Sequence, residues 1–271
     1  MSIKQRLALI GGAGTIGMAI VRGLLRAGAL APDRMTVTAR HEGSLQRLEQ
    51  YGVARTRDNR AAAEAADVLL ICVHPDQVAG VLDEVRDTLR EGQLILSVAT
   101  GIPTSRIEEL AGDAIPVIRA TPNLAAVVGA SITVLCAGRF VTEQHLELAR
   151  EVFRTVGEVE QLDERHMNAC TALCGCGPAF VFKCIEALAQ GGVKMGLPRL
   201  ASRRMAAQVM LGAAHMVLQT GEHPAALKDQ VTTPGGCTID GITKLEERGL
   251  SIALIEAVET SAIKAAKLFD S

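Results

Sequence analysis

A glycine-rich turn late in the sequence has the residue types that bind a small carboxylate. It lies in the stretch LKDQVTTPGGCT, residues 227 to 238, between two predicted helices. Gly235 and Gly236 have no β-carbon, so their amides can approach a ligand closely, and a helix starting near Thr238 directs unpaired N–H groups at the same place. The spacing therefore predicts a carboxylate site, although a plain connector between helices shows the same pattern.

A second glycine motif lies near the start of the chain. It is a complete G-x-G-x-x-G, preceded by an apolar strand and followed by an amphipathic helix. In such a motif Gly12 permits the tight turn, Gly14 lets the backbone reach a pyrophosphate, and Gly17 allows the helix to pack closely on the strand. This context predicts a dinucleotide site, the alternative being a turn without a ligand. The predicted cofactor contacts are Gly12, Ala13, Gly14, Thr15, Ile16 and Gly17.

The end of the second predicted strand indicates which dinucleotide is bound. A protein that binds NAD(H) usually has Asp or Glu there to hold the ribose 2′-hydroxyl. This chain has Thr38, Ala39, Arg40 and His41 instead. A cation without a competing carboxylate suits a 2′-phosphate, so we expect Arg40 to favour NADP(H), with NAD(H) as the alternative cofactor. If Arg40 is only a solvated loop residue, the preference is undetermined.

Two more motifs follow predicted strands, at the edge where doubly wound sheets bind ligands. The first is Val73-His74-Pro75, in which the imidazole either lies against the nicotinamide half of a cofactor or satisfies a loop carbonyl. The second is Asn123, whose amide either holds cofactor or substrate or caps a turn. We include Val73, His74, Pro75 and Asn123 among the predicted cofactor contacts.

The pattern of elements predicts an α/β fold with two domains. Short apolar strands alternate with helices in the first part, which indicates an N-terminal Rossmann doubly wound domain over residues 1–162. From Asp163 onward the pattern is helix after helix, with helix-starting prolines at Pro178 and Pro198. We therefore expect an all-α C-terminal domain over residues 163–271, which binds substrate. Its apolar faces are numerous, so we expect some to be buried against another subunit. The predicted strands are 6–10, 35–38, 68–73, 94–98, 116–119, 132–136 and 158–162.

Composition argues against several classes of protein. The chain has 28 basic and 30 acidic residues, a net charge of −2, and only 2% aromatic residues, so it lacks the features of a nucleic-acid partner or an anionic membrane surface. Its start lacks the longer apolar region and cleavage site of a secretory signal, and no uninterrupted apolar stretch reaches the roughly 18 to 20 residues needed to span a bilayer. The protein is thus expected to be soluble and cytoplasmic, with a small-molecule substrate.

The seven cysteines are predicted to be reduced thiols rather than a disulfide framework. His166, Cys170 and Cys174 fall at helical spacing and could share a face. The compact Cys-x-x-Cys spacing of zinc sites is missing, and the Gly175–Pro178 stretch is expected to break that face. We therefore predict no metal site.

Two long motifs resemble the signature regions of the pyrroline-5-carboxylate reductase family. They are LCGCGPAFVFKCIEALAQGGVKMGLPR at residues 173 to 199 and LKDQVTTPGGCTIDGI at residues 227 to 242. With GAGTIG, VHP and TPN in the same order, the resemblance covers nearly the whole chain. It implies reduction of the cyclic imine 1-pyrroline-5-carboxylate to L-proline, the last step of proline biosynthesis, with NADPH as the usual reductant. It also implies an all-α domain through which subunits interlock as dimers, sometimes joined into rings.

The resemblance also implies roles for residues of the two motifs. A loop is expected to bind the substrate carboxylate, and the hydroxyl of Thr238 lies near the ring nitrogen as the catalytic contact. The turn Gly175–Pro178 borders the same pocket, contributed across the dimer. Asp240 either stabilises the positive end of its helix or meets the substrate nitrogen. The predicted substrate-binding residues are Thr233, Gly235, Gly236, Cys237, Gly177 and Pro178.

The chain departs from the family pattern at several places. His74 stands where the family has Lys, Leu124 where it has Thr, Cys176 where it has Ser and Phe180 where it has Tyr, and Gly11 is an additional glycine. Each of the four replacements removes or changes a polar group close to cofactor or substrate. These departures leave the coenzyme preference and the identity of the imine open.

Three other functions remain as alternatives. The first is a related imine reductase that acts on pyrroline-2-carboxylate or another cyclic imino acid. The second is a β-hydroxyacid dehydrogenase, but its G-x-G-x-x-x-K-x-x-x-N motif would place Lys at Val181 and Asn at Ile185. The third is a non-catalytic NADP(H)-binding regulator, which would bind cofactor without turnover of any imine.

Overall fold

The computed structural model describes residues 3–112 and 114–267, and a sheet of eight strands dominates the first part of those residues. The strands are β1 (Leu7–Ile10), β2 (Met35–Thr38), β3 (Ala54–Thr56), β4 (Val68–Ile71), β5 (Leu94–Ser97), β6 (Val117–Thr121), β7 (Ser131–Ala137) and β8 (Gly157–Gln161). Their order in the sheet is β3-β2-β1-β4-β5-β6-β7-β8, and neighbours are parallel except for the antiparallel pair β6 and β7. The predicted doubly wound α/β domain is confirmed.

Helices connect the strands and make up the rest of the chain. They are α1 (Thr15–Arg26), α2 (Glu42–Gln46), α3 (Asn59–Ala65), α4 (Val78–Val85), α5 (Thr104–Ala111), α6 (Glu143–Arg154), α7 (Met167–Cys170), α8 (Gly177–Lys194), α9 (Arg199–Thr220), α10 (Pro224–Gln230), α11 (Cys237–Glu247) and α12 (Leu250–Lys267). A π-helical turn, Thr171–Cys176, joins α7 to α8. The predicted helical C-terminal part is confirmed.

The chain divides into two compact units. The sheet unit runs to Cys176 and includes the end of α12 from Ser261 onward, and the helical unit is Gly177–Thr260. This division falls later than the predicted change of pattern because Met167 and Cys170, in α7, are buried against β7. The predicted domain boundaries themselves stay a prediction.

The core of the sheet unit lies on both faces of the sheet. Strands β1, β4 and β5 are fully buried, as expected for parallel strands covered by helices on both sides. One face packs against α1 and α6, with Ile20 and Phe153 at its centre, and the other packs against α3, α4 and α5, with Leu82 and Ile107. The order β3-β2-β1-β4-β5-β6 reverses direction between β1 and β4, which is where such sheets bind ligands.

A buried ion pair fixes the segment that follows the sheet. Arg119, in β6, has a side chain that is 3% exposed, and its Nη1 donates to Oε1 of Glu164 over 2.5 Å. The backbone N–H and the hydroxyl of Thr104 donate to the other carboxylate oxygen over 3.0 and 2.9 Å. Strand β6, the start of α5 and the turn before α7 are therefore held together by one carboxylate.

Two effects act in opposite directions on the pKa of Glu164. Partial burial raises it, whereas the hydrogen bonds from Thr104, the charge of Arg119 and the hydrogen bond from Arg119 lower it. The lowering effects prevail, so the pKa lies below its usual value of 4.5. The carboxylate therefore stabilises the fold above that pH, and this contribution is lost as the pH falls through the lowered pKa.

The helical unit has almost no core of its own. Helices α8 and α9 pack closely because Gly192 leaves room for Ser202, whose hydroxyl donates to the carbonyl of Ala189 over 2.7 Å. Of residues 177–260, all of which the structure describes, only Ser202 and Ala206 are buried. The helical unit is thus left with broad apolar surfaces, which include Phe182, Leu188, Leu200, Val209, Leu218, Ile252 and Ile255.

One helical run is longer than the sequence indicated. The run Glu164–Lys194 is long and apolar enough to cross a membrane by length and composition alone, and 6% of its apolar window is buried. The run is not an uninterrupted apolar stretch, since Lys183 and Glu186 lie within it, so it does not contradict the expectation that no such stretch is present. The expected break at Gly175–Pro178 is absent, because the chain passes through the π-helical turn into α8 and Pro178 stands at the second position of that helix, where its missing N–H is tolerated.

Replacing Glu164 with Gln tests the ion pair. Removing one partner of a buried pair typically costs about 3–5 kcal/mol of unfolding free energy. The side chain of Glu164 is 34% exposed, so we expect the lower end of that range at pH 7. The difference from wild type should shrink as the pH falls below 4.5. Urea unfolding at a series of pH values measures this, and a difference that does not change with pH would contradict the assignment.

Candidate active site

The turn after β1 depends on a glycine to which the sequence analysis gave no role. Gly11 has a φ of +69°, its N–H donates to Oγ1 of Thr38 over 2.9 Å, and a β-carbon there would lie 2.5 Å from Cγ1 of Val73. Gly12 does not have a positive φ, and a β-carbon on it would collide with Leu9. The turn therefore needs both glycines: Gly12 because a side chain would collide with Leu9, and Gly11 because of its positive φ.

The start of α1 is open to an anion. A β-carbon on Gly14 would meet no atom closer than 3.9 Å, so packing within the protein does not explain the glycine there. No side chain caps α1, and its first turn has no acidic residue. A β-carbon on Gly17 would collide with the backbone of Gly12, which agrees with close packing of helix on strand. Free amides, a positive helix end and open space together fit a pyrophosphate.

A cavity of about 390 Å³ lies beside this turn. Its lining includes Gly11, Arg40 and Val73, which are named above, and Arg57 and Asn59, to which the sequence gave no role. The last two follow β3, the edge strand that was not predicted, and pairing of β3 with β2 brings them beside Arg40 around the cavity. The sequence did contain a signal for this site, namely a second arginine, Arg57, directly after the exposed stretch that ends at Thr56.

A chain of hydrogen bonds supports one wall of the cavity. The hydroxyl of Thr38, which accepts from Gly11, donates to Oδ1 of Asn59 over 2.7 Å. The amide of Asn59 in turn donates to Oε2 of Glu84 over 2.9 Å. The glycine turn, the end of β2 and the start of α3 are therefore joined through side chains that all line the cavity.

The charges around the cavity fit a 2′-phosphate. Among the described residues, no ion pair involves Arg40 or Arg57, and both are exposed. The two carboxylates of the cavity already have partners, because Asp76 pairs with His74 over 2.7 Å and Glu84 accepts from an amide. The two guanidinium groups are thus available to bind a phosphate. Their planar, forked donors match the oxygens of a phosphate group.

The remaining predicted cofactor residues lie at other strand ends of the same edge. His74 is exposed and pairs with Asp76 rather than with a loop carbonyl, and Pro75 starts the following 3₁₀ turn. The Oδ1 of Asn123 accepts from the N–H of Ala125 over 3.0 Å, so the capping alternative is confirmed for this residue. Contact of any of the three with cofactor stays a prediction.

The predicted carboxylate loop forms a tight turn that opens α11. The N–H of Gly236 donates to the carbonyl of Thr233 over 3.0 Å, Pro234 follows at the second position, and Gly235 has a φ of +69°. These are the features of a type II turn, which requires a positive φ at its third residue. No side chain caps α11, so its first amides point toward the loop unpaired, and Thr238 is the second residue of the helix. The loop geometry fits a carboxylate.

The other predicted substrate residues start a different helix. Gly177 and Pro178 are the first two residues of α8 and are partly buried. In the described residues α8 packs extensively on α9, as does α10 to a smaller extent, whereas α8 and α11 share at most weak contacts. One chain therefore does not bring Gly177 and Pro178 extensively against the loop before α11.

Two of the cysteines, Cys72 and Cys136, lie in surroundings that keep them protonated. All seven are in described residues and are free. Burial raises the pKa of Cys72 to about 12, and burial together with Glu164 raises that of Cys136 to about 12, so both remain thiols at neutral pH. Among the described residues there is no group of three His, Cys, Asp or Glu side chains placed to hold a metal ion.

Comparison with protein families divides the chain in the same way as its sequence pattern. Residues 164–268 match the family model described as pyrroline-5-carboxylate reductase dimerisation. Residues 6–101 match the model described as NADP oxidoreductase, coenzyme F420-dependent. The second match covers the glycine turn and the cavity with its two arginines, which supports NADP(H) as the cofactor.

Full-length relatives agree with both matches. The chain is 38% identical to a pyrroline-5-carboxylate reductase of Methanosarcina acetivorans over 94% of each sequence. A solved pyrroline-5-carboxylate reductase of Coxiella burnetii superposes with a TM-score of 0.92 at 35% identity, covering 98% of this chain and 99% of that one. The Plasmodium falciparum pyrroline carboxylate reductase, solved with NADP bound, gives a TM-score of 0.87 at 25% identity over 98% of each chain.

Substituting the cavity arginines tests the phosphate site. We expect Arg40→Ala and Arg57→Ala each to weaken NADPH binding by about tenfold, because each removes a charged contact worth about 1.4 kcal/mol. Binding of NADH, which lacks the 2′-phosphate, should change by less than about twofold. Fluorescence titration measures both affinities. Arg106→Ala, which removes an exposed cation paired with Glu109 away from the cavity, is the control. Equal weakening of NADPH and NADH would contradict the assignment.

Proposed function

The chain belongs to the pyrroline-5-carboxylate reductase family, and we propose on that premise that it reduces the cyclic imine 1-pyrroline-5-carboxylate to L-proline with NADPH. The observation that carries the proposal is the loop Thr233–Gly236, whose tight turn opens an uncapped helix beside the hydroxyl of Thr238. A site for a carboxylate next to the hydroxyl of Thr238 matches the two polar groups of this substrate, its acid and its ring nitrogen. The protein is thus an oxidoreductase of proline biosynthesis.

The residues of the loop bind and orient the substrate. The backbone amides of Gly235, Gly236 and Cys237 hold the carboxylate, and Thr233 contributes to the same loop. The carboxylate is favoured there because an anion meets the positive end of α11. Fixing the acid group also fixes the orientation of the ring, which lowers the entropic cost of reaction.

Thr238 assists at the nitrogen. Its hydroxyl hydrogen-bonds the ring nitrogen, but an aliphatic hydroxyl is far too weak an acid to donate its proton outright. The imine is therefore protonated before reduction, or receives its proton through a water relay that ends at Thr238. When bound, NADPH supplies the hydride. Asp240, in the first turn of α11, has its main role in stabilising the start of that helix.

The residues of the sheet unit hold the cofactor. The turn Gly12–Gly17 binds the pyrophosphate at the start of α1, and Arg40 with Arg57 binds the 2′-phosphate. Val73 lines the same cavity. His74, Pro75 and Asn123 stand at neighbouring strand ends, on the nicotinamide side of the sheet.

The apolar surfaces of the helical unit are covered by a second copy of the chain. The groove between α8 and α9, about 370 Å³, is lined mainly by apolar side chains, among them Phe182 and Leu200. The matching family model is one of dimerisation, which favours a partner subunit over a membrane as the surface that covers the run Glu164–Lys194. In the dimer, Gly177 and Pro178 of one chain border the substrate loop of the other. We place the protein in the cytoplasm, as a dimer or a ring of dimers.

Mass measurement and one substitution test the dimer. The wild type should have the mass of two chains or a multiple of two by light scattering, without detergent. Leu200→Asp places a charge in the apolar groove and should shift the protein toward monomers, because burying an unpaired charge is strongly unfavourable. Lys228→Asp, on exposed α10, is the control. A wild-type protein that is extracted only with detergent would favour the membrane instead.

The oxidation rates of NADPH and NADH with pyrroline-5-carboxylate and with pyrroline-2-carboxylate test the activity. We expect NADPH with pyrroline-5-carboxylate to give the highest kcat/KM. Thr238→Ala should lower this kcat/KM by about ten- to a thousandfold, which is about 1.4 to 4 kcal/mol of transition-state stabilisation.

Matched variants separate the hydroxyl from the helix. Thr238→Ser keeps the hydroxyl and should retain most of the activity. Thr243→Ala removes a hydroxyl that donates to the carbonyl of Ile239 in the same helix, and should leave kcat/KM nearly unchanged. A fully active Thr238→Ala variant would remove this residue from the mechanism. Cofactor binding without turnover of either imine would favour the regulator.

A further inference from the structure

One side chain connects the carboxyl end of β6 to the π-helical turn Thr171–Cys176. Asn123 follows β6 and is 8% exposed. Its backbone N–H donates to Oγ of Ser131 over 3.0 Å and its Oδ1 accepts from the N–H of Ala125 over 3.0 Å. Its Nδ2 donates to the carbonyl of Cys174, 51 residues further along the chain, over 3.1 Å. The amide is thus fixed by its own turn and directed at the π-helical turn.

The carbonyl of Cys174 has a donor from outside its own helix. Four residues further along, where a regular α-helix has its donor, stands Pro178, which has no N–H, so the α-helical bond to this carbonyl cannot form. Cys174 lies in the π-helical turn, whose bonds are spaced five residues apart instead. Asn123 donates to this carbonyl from the end of β6. The side chain of Asn123 thus links β6 to the point where the helix changes from π to α spacing.

The location of this contact is where ligands bind to such sheets. Strands β1, β4, β5 and β6 are parallel, so Asn123 lies at the same edge as the glycine turn after β1. Single π-helical turns are rare and occur frequently at functional sites. The same segment is held at its other end by the Arg119–Glu164 pair, which also starts from β6. Strand β6 therefore fixes residues 164–176 at two points.

We propose that Asn123 is a positioning residue for imine reduction. Its Nδ2 donor holds the π-helical turn Thr171–Cys176 in one conformation at the ligand-binding edge, and so fixes the start of α8 with Gly177 and Pro178. The proposal rests on the proposed function. In it, Asn123 acts by holding the turn and does not need to contact the cofactor. One lone pair of Oδ1 and one hydrogen of Nδ2 already have protein partners.

Asn123→Asp removes the side-chain donor to Cys174 but keeps the oxygen that caps the turn at Ala125. Asp keeps an oxygen for the N–H of Ala125 but presents an oxygen instead of N–H₂ to the carbonyl of Cys174. We expect kcat to fall by about ten- to a hundredfold, while KM for NADPH changes by less than about twofold. Hydrogen exchange of the amides in residues 172–180 should accelerate by about tenfold, and that of β1 should not change. Asn168→Asp, the same substitution within α7, is the control and should have neither effect.

Pro178→Ala gives a rescue. It supplies an N–H four residues after Cys174, at α-helical spacing. In the Pro178→Ala background, Asn123→Asp should therefore lower kcat, and accelerate hydrogen exchange of residues 172–180, by less than about twofold. Equal losses in both backgrounds would overturn the positioning role, as would an Asn123→Asp variant with wild-type kcat and exchange. A wild type that reduces neither imine would overturn the proposed function instead, and the exchange measurements, made without substrate, would still decide whether Asn123 holds the turn.

Discussion

Every α-helix leaves its first backbone N–H groups without partners, and in this chain two such helix starts lie at the two proposed ligand sites. Helix α1 follows Gly14 and α11 follows Gly236, and neither helix is capped by a side chain. Glycine in place of a capping residue costs about a few tenths of a kcal/mol, so the loss of stability is small. In return the amides stay free for an anion. The same backbone feature would thus serve the proposed pyrophosphate site and the proposed carboxylate site.

Buried strands could be predicted, because burial leaves an apolar run in the sequence. Strands that form only by pairing with a neighbouring strand leave no such run and could not be predicted. The apolar strand β2 was predicted with its observed bounds, and β4 and β5 were found within two residues. Strand β3, Ala54–Thr56, was missed because it is a short, mostly exposed edge strand without an apolar run. The antiparallel direction of β7 is also invisible in its sequence, since an apolar strand has the same pattern in either direction.

The same distinction explains which site residues could be found. Glycines of a local motif are recognised by spacing, and Arg40 by its place after β2. Arg57 and Asn59 lie on the cavity only because β3 pairs beside β2, so a missed edge strand removed both from view. Gly11 was noticed as an addition but not understood, because its need for a positive φ arises from Val73 on a neighbouring strand. Proline at 178 suggested a break, but the helix continues because a π-helical turn precedes it and leaves the proline at the second position of α8.

The exposed apolar surface links assembly to chemistry in the proposed enzyme. A unit with two buried residues among those at 177–260 gains too little from burial to offset the entropy of ordering its helices. A partner chain that covers those helices would supply the missing apolar contacts, and the stability of the unit would then depend on protein concentration. The carboxylate loop belongs to this unit, so its pre-organisation depends on the same contacts. The turn before α8, in contrast, is held by β6 within a well-packed sheet, so its conformation does not depend on those contacts.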